Sequence, residues 1–226
     1  MIKLSVVIVI WSIVCLFIDQ KMAWWGQSLA NLITWILLLT YLRTVNPMMQ
    51  VSLVLCLGYA TAGEVFLSLV WGLYEYRLHN VPLFVPPGHA LLFTLGLLSA
   101  SKMPAGIVWY VPILFTPYMI FAALTGVDTL GGILFAIFII CLWLGQARKL
   151  YATMFILSLL LEIYGTWLGN WTWSLEVPWL GLTSTNPPVS AGTFYCLLDL
   201  LVVLTTAQIQ VFWSNRMNSK QLATSG

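Results

Sequence analysis

Eight apolar runs, at about residues 3–18, 26–42, 48–72, 88–101, 106–125, 130–146, 150–169 and 191–213, are separated only by short segments of charges, prolines and glycines. Roughly 20 mostly apolar residues are what one α-helix needs to cross the ~30 Å hydrocarbon core of a bilayer. Each run therefore reads as one spanning helix. Composition points the same way: 7% of the residues are charged, against about 25% in an ordinary soluble domain.

The expected fold is all-α, a polytopic transmembrane bundle of about eight helices. It forms a single membrane domain over residues 1–226, with 214–226 as a cytoplasmic tail. The first run, Leu4 to Ile18, has one leading charge, Lys3, and no small-residue cleavage site after it, so it is expected to stay as a helix.

Orientation follows from the basic residues. With residue 1 in the cytoplasm, Lys3, Arg43, Lys102, Arg148, Lys149, Arg216 and Lys220 fall inside, and only Lys21 and Arg77 outside. That bias predicts a cell-membrane protein with both termini cytoplasmic. A net charge of +2 without a basic cluster argues against nucleic acid as a partner. The cysteines Cys15, Cys56, Cys141 and Cys196 lie inside apolar runs without C-x-x-C spacing, which predicts packing roles.

Three acidic residues, Glu64, Glu162 and Asp199, fall within apolar helices. An ionisable group there costs at least about 2.5 kcal/mol on insertion scales, and it is expected to face the bundle interior with a partner. Two of the three belong to a repeated pattern. Gly63 to His89 reads GEVFLSLVWGLYEYRLHNVPLFVPPGH, and Leu161 to Pro188 reads LEIYGTWLGNWTWSLEVPWLGLTSTNPP. Both hold a glutamate, then a glycine (Gly72, Gly169), two aromatics one residue apart (Tyr74 and Tyr76; Trp171 and Trp173), a Val-Pro and a Pro-Pro. An offset of four helices makes this a parallel internal repeat, with halves at about 1–102 and 103–213 related by an axis along the membrane normal.

Paired carboxyl groups in a low-dielectric site suit general acid and base chemistry. The expected catalytic set is Glu64, Glu162, Asp199 and His89, placed by helical rise at similar depth in the outer half of the membrane. Tyr74, Tyr76, Trp171 and Trp173 are expected to bind an apolar or conjugated chain, with Asn170 and Asn186 supplying neutral hydrogen bonds. Two histidines in all, without E-x-x-H or H-x-x-x-H spacing, leave no metal site expected, and no cofactor.

With E-x7-G-x-Y-x-Y at Glu64 to Tyr76 and E-x6-G-x-W-x-W at Glu162 to Trp173, the chain resembles the carotenoid hydratase-like family of bacterial and archaeal membrane proteins. The similarity runs over Gly63 to His89 and Leu161 to Asp199, and the second copy departs from the pattern by using tryptophans for tyrosines. The resemblance implies addition of water across, or isomerisation of, a double bond in a membrane-dissolved isoprenoid. Glu64 or Glu162 would protonate the alkene, the aromatic pairs would stabilise the cation, and Asp199 would position water or take the proton back. A small proton-coupled transporter, or an accessory subunit of a membrane complex, is the competing expectation from composition and repeat alone.

Overall fold

The computed structural model describes residues 2–224, and the side-chain surroundings of residues 3–216. The chain forms an all-α bundle: α1 (Ile2–Leu42), α2 (Pro47–Glu64), α3 (Val85–Ala100), α4 (Ile107–Leu124), α5 (Thr129–Leu144), α6 (Arg148–Leu168) and α7 (Gly192–Thr224). Strands β1 (Tyr74–Tyr76) and β2 (Trp171–Trp173) pair with each other, as do β3 (Glu176–Val177) and β4 (Leu182–Thr183). Among the described residues, five stretches are long and apolar enough to cross a membrane: Lys3–Leu42, Pro47–Val70, Ile107–Leu124, Arg148–Leu168 and Val189–Arg216. The expected tail over 214–226 continues α7 as helix to Thr224, and its last two residues lie outside the described ones.

Helix α1 is broken at Ala23, whose φ of 47° and ψ of −131° are not helical. Trp11 Nε1 donates to Thr34 Oγ1 at 2.9 Å, and the Gln27 amide reaches Asp19 Oδ1 at 3.5 Å. Side chains 23 and 8 residues apart meet in this way only if the limbs 2–22 and 24–42 fold back on each other. Gly26 permits the close approach, because a Cβ there would lie 2.1 Å from the Ile18 carbonyl oxygen. Gly26→Ala should therefore cost about 1–3 kcal/mol, the usual range for overpacking, seen as a lower thermal midpoint in detergent. An unchanged midpoint would mean that the limbs are not in contact there.

Helices α2, α3, α6 and α7 form a closed ring, each packed on the next, with the α1 limbs covering α3 and with α4 and α5 covering α6 and α7. Apolar side chains fill the ring and its flanks, including Leu53, Cys56, Phe93, Met154 and Phe155. The Phe138 and Phe155 rings stack at 4.3 Å. All four cysteines are buried and free. Helices α3 and α5, at 16 residues each, are shorter than the other helices. At 1.5 Å per residue they reach roughly 24 Å. Ten of the residues of α3 are buried, so this helix is enclosed by protein and need not match the bilayer along its whole length. The polar side chain of Asp128 caps α5, accepting from Gly131 N at 2.7 Å, and burial lifts its carboxyl above the ordinary value.

Candidate functional site

The site begins where α2 and α6 end. Gly72 (φ 72°) and Gly169 (φ 81°) take left-handed backbone, which glycine adopts without a Cβ clash, and turn the chain sharply into β1 and β2. The strands pair antiparallel with Tyr74 opposite Trp173, Glu75 opposite Thr172 and Tyr76 opposite Trp171. Alternation along a strand turns Glu75 and Thr172 outward and buries the four aromatics beneath them. One further backbone bond closes each end of the ribbon, Arg77 N to Asn170 O and Ser174 N to Leu73 O, both 2.9 Å.

Under this ribbon the two glutamates have matching surroundings. Glu64 Oε2 accepts from the Tyr74 and Tyr76 hydroxyls, each at 2.7 Å. Glu162 Oε2 accepts from the Trp171 and Trp173 indole N–H groups at 2.8 and 3.0 Å. The first copy has one more residue between glutamate and glycine than the second. That residue is absorbed by a π-helical turn over Val65–Val70, in which Trp71 N bonds Phe66 O. A single inserted residue commonly produces such a turn, frequently at functional sites. Here it keeps Glu64 below its own aromatic pair despite the longer spacing.

The other carboxylate oxygens differ. Glu64 Oε1 lies 2.9 Å from His89 Nε2, whereas Glu162 Oε1 accepts from the Tyr195 hydroxyl at 3.0 Å. The His89 and Tyr195 rings stack at 4.7 Å and 21°, so the two glutamate environments touch through them. Each Oε2 already receives two donors, and an indole N–H can only donate. A proton on Glu162 must therefore sit at Oε1, facing Tyr195, while Glu64 Oε1 faces His89. Burial, followed by the nearby Glu64 charge, pushes the Tyr74 and Tyr76 hydroxyls well above the usual phenol range, so both remain donors. His89 Nδ1 is buried without a hydrogen-bond partner among the described residues.

Two cavities, of about 80 and 330 Å³, meet at this cluster. Both are lined by Glu64, Tyr74, His89, Glu162, Trp173 and Tyr195. The smaller also touches Tyr76 and Trp171, and extends between α3, α6 and the α1 limbs. The larger extends between α2 and α7.

Three expected site residues lie elsewhere. Asp199, expected in the same cavity, lines neither: it is fully buried within electrostatic reach of Cys56, Cys196 and Tyr151, and its two oxygens have no partner among the described residues. The reason is helical rise, since Asp199 lies a full turn beyond Tyr195 on α7 and Tyr195 fills the place at the cluster. Asn170, expected to bind substrate, instead donates to Leu16 O at 3.0 Å and to Asp19 Oδ2 at 2.7 Å. Asn186 accepts from Trp173 N at 2.9 Å and so holds β2 in place. The asparagines thus fix the ribbon from behind and do not face the cavities.

Tyr195 is the site residue that sequence reasoning misses. Its available signal is a phenol one turn before the intramembrane Asp199 on an otherwise apolar helix, a spacing that reads equally well as packing. Also unforeseen is the clamp around Asp19, which pairs with Arg77 at 3.7 Å and receives the Gln27 and Asn170 amides. Arg77 Nη2 also donates to the Asp19 carbonyl oxygen. No family model, curated protein or solved structure matches the chain.

Proposed function

We propose that the chain is an intramembrane enzyme that adds water to, or isomerises, a carbon–carbon double bond in a lipid or isoprenoid chain. The observation that carries this reading is the pair of buried glutamates, each receiving two hydrogen bonds at Oε2 and each turning Oε1 to a further side chain able to hold or pass a proton. Glu64 Oε1 faces an imidazole, whose ring nitrogens can both take up and release a proton.

In the step envisaged, the proton shared by Glu64 Oε1 and His89 Nε2 passes to one alkene carbon, and the π electrons form the new C–H bond. The neighbouring carbon becomes cationic. Aromatic rings of the ribbon stabilise it through their π faces. Isomerisation is completed when an adjacent C–H proton leaves to a carboxylate and the double bond re-forms one place along. Hydration is completed when water attacks the cation and its surplus proton goes to Glu162 Oε1. Glu162 takes the role that the resemblance would give to Asp199.

The same reading treats Gly63–His89 and Leu161–Pro188 as copies of one unit, related by a pseudo-two-fold axis through the middle of the β1–β2 ribbon. It also treats the two limbs of α1 as separate crossings, making eight, with both termini in the cytoplasm. Reporter fusions after Asn80 and Glu176 should then read outside, and fusions after Lys102 and Lys149 inside. The opposite result at any two would overturn this topology.

The activity itself is tested by placing the purified protein in lipid nanodiscs with a broad extract of polyene and isoprenoid lipids, followed by mass spectrometry. A product heavier by one water, or an isomer with shifted retention, is expected. Failure of a folded preparation to convert any lipid would refute the reading.

A further inference from the structure

The two cavities differ in how they end. All the residues lining the smaller one are buried or half-buried, and its wall on the α1 limbs is tied by the Trp11–Thr34 hydrogen bond. The larger one has exposed residues on both of the helices that frame it: Ala62 on α2, Phe66 in the π-helical turn and Leu201 on α7. Phe66 and Leu201 are 48% and 49% exposed, and both lie within stretches apolar enough to span a membrane.

The seam between α2 and α7 is closed below and above this opening. Toward the C-terminal end of α7, Tyr59 OH bonds Thr205 Oγ1 at 2.8 Å and Ser52 bonds Thr206 at 3.1 Å. At the other end the cavity is capped by Tyr74 and Trp173 of the ribbon. Between these limits its lining on α7 runs from Phe194 to Leu201, which at 1.5 Å per residue is roughly 10 Å. The inner end is polar, at Glu64, His89 and Glu162, and the wall between there and the surface is apolar apart from Tyr59.

We infer that this opening is a lateral portal, through which a flexible hydrocarbon chain leaves the surrounding lipid and reaches the glutamates without passing through water. The occupant follows from the wall and its surroundings. A slot opening on the apolar surface of a membrane-spanning pair of helices meets hydrocarbon. Its apolar wall offers a headgroup no charged partner before the glutamates, whereas it matches the chemistry of a hydrocarbon tail. The π-helical turn contributes Phe66 and Leu67 to the wall, so the extra residue that positions Glu64 also shapes the portal. The inference rests on the proposed catalytic reading for what happens to the chain once it arrives.

The test uses the full-length protein in nanodiscs and a long-chain alkane bearing a terminal diazirine, irradiated and mapped by peptide mass spectrometry. Adducts are expected on Tyr74, Trp173 and Tyr195 as well as on the outer surface of α4. An Ala62→Trp/Leu201→Trp double variant should lose the interior adducts by about tenfold while keeping those on α4. Leu204→Trp, on α7 but outside the cavity lining, should label like the wild type, which controls for folding. Interior labelling that is absent in the wild type, or unchanged in the double variant, would overturn the portal. If labelling behaves as expected but no lipid is converted, the portal stands and the catalytic reading fails. If a lipid is converted equally fast by the double variant, the portal fails and the catalytic reading stands.

Discussion

Glu64→Gln and Glu162→Gln should each lower turnover by about 10²- to 10⁴-fold, the range that a positioned acid or base contributes, while leaving expression and thermal midpoint nearly unchanged. Glutamine keeps the hydrogen-bond frame in both places. Its carbonyl oxygen can accept from Tyr74 and Tyr76, or from the two indoles, as Oε2 does now. Its amide can donate to His89 Nε2 or to the Tyr195 oxygen, each of which has acceptor capacity. Only the transferable proton is lost. Product formation by both variants at the wild-type rate would show that the glutamates do no chemistry, and a collapse of the midpoint would reassign them to holding the ribbon.

Arg77→Met should destabilise the protein by about 2–3 kcal/mol, less than the ~3–5 kcal/mol of a fully buried broken pair because the arginine retains some contact with solvent. The substitution leaves the Asp19 carboxyl, 3% exposed, with only the Gln27 and Asn170 amides as partners. It also removes the donor to the Asp19 carbonyl, and with it a tie between α1 and the segment after β1. Adding Asp19→Asn to this variant should restore a substantial part of the loss, because the stranded charge is then gone. Unfolding in detergent checks both variants, and an Arg77→Met midpoint equal to the wild type would show that the clamp carries no weight.

What could be read in advance follows the physics of each feature. Spanning helices are legible because the bilayer imposes a length and an apolar content on every one of them. The Glu64 and Glu162 environments are legible in part, because a glycine and two alternating aromatics mark a helix stop and a strand whatever else surrounds them. The pairing of β1 with β2 is not, since nothing local in Tyr74–Tyr76 names Trp171–Trp173 as its partner. Asp199 shows the limit of arguments from depth: a helix places a residue within about 1.5 Å along its axis, but the side chain that reaches the cluster from α7 is Tyr195. Asn170 and Asn186 fail for a related reason. Buried amides satisfy whichever group is nearest, and here those groups are a backbone N–H, a carbonyl and the Asp19 carboxyl.

The β1–β2 ribbon joins the ends of two membrane helices by a backbone ladder, and adjacent strands keep a separation of about 4.8 Å. Helices in a bilayer tilt and shift to match its thickness, at fractions of a kcal/mol per ångström. Because Glu64 and Glu162 are each bonded to the aromatics of that ladder, their spacing is governed by a covalent and hydrogen-bonded crosspiece at the rim. Stretching or thinning of the surrounding bilayer would splay the lower parts of α2 and α6 and leave the two carboxyl groups in step, a mechanical insulation that an arrangement held only by helix packing would lack.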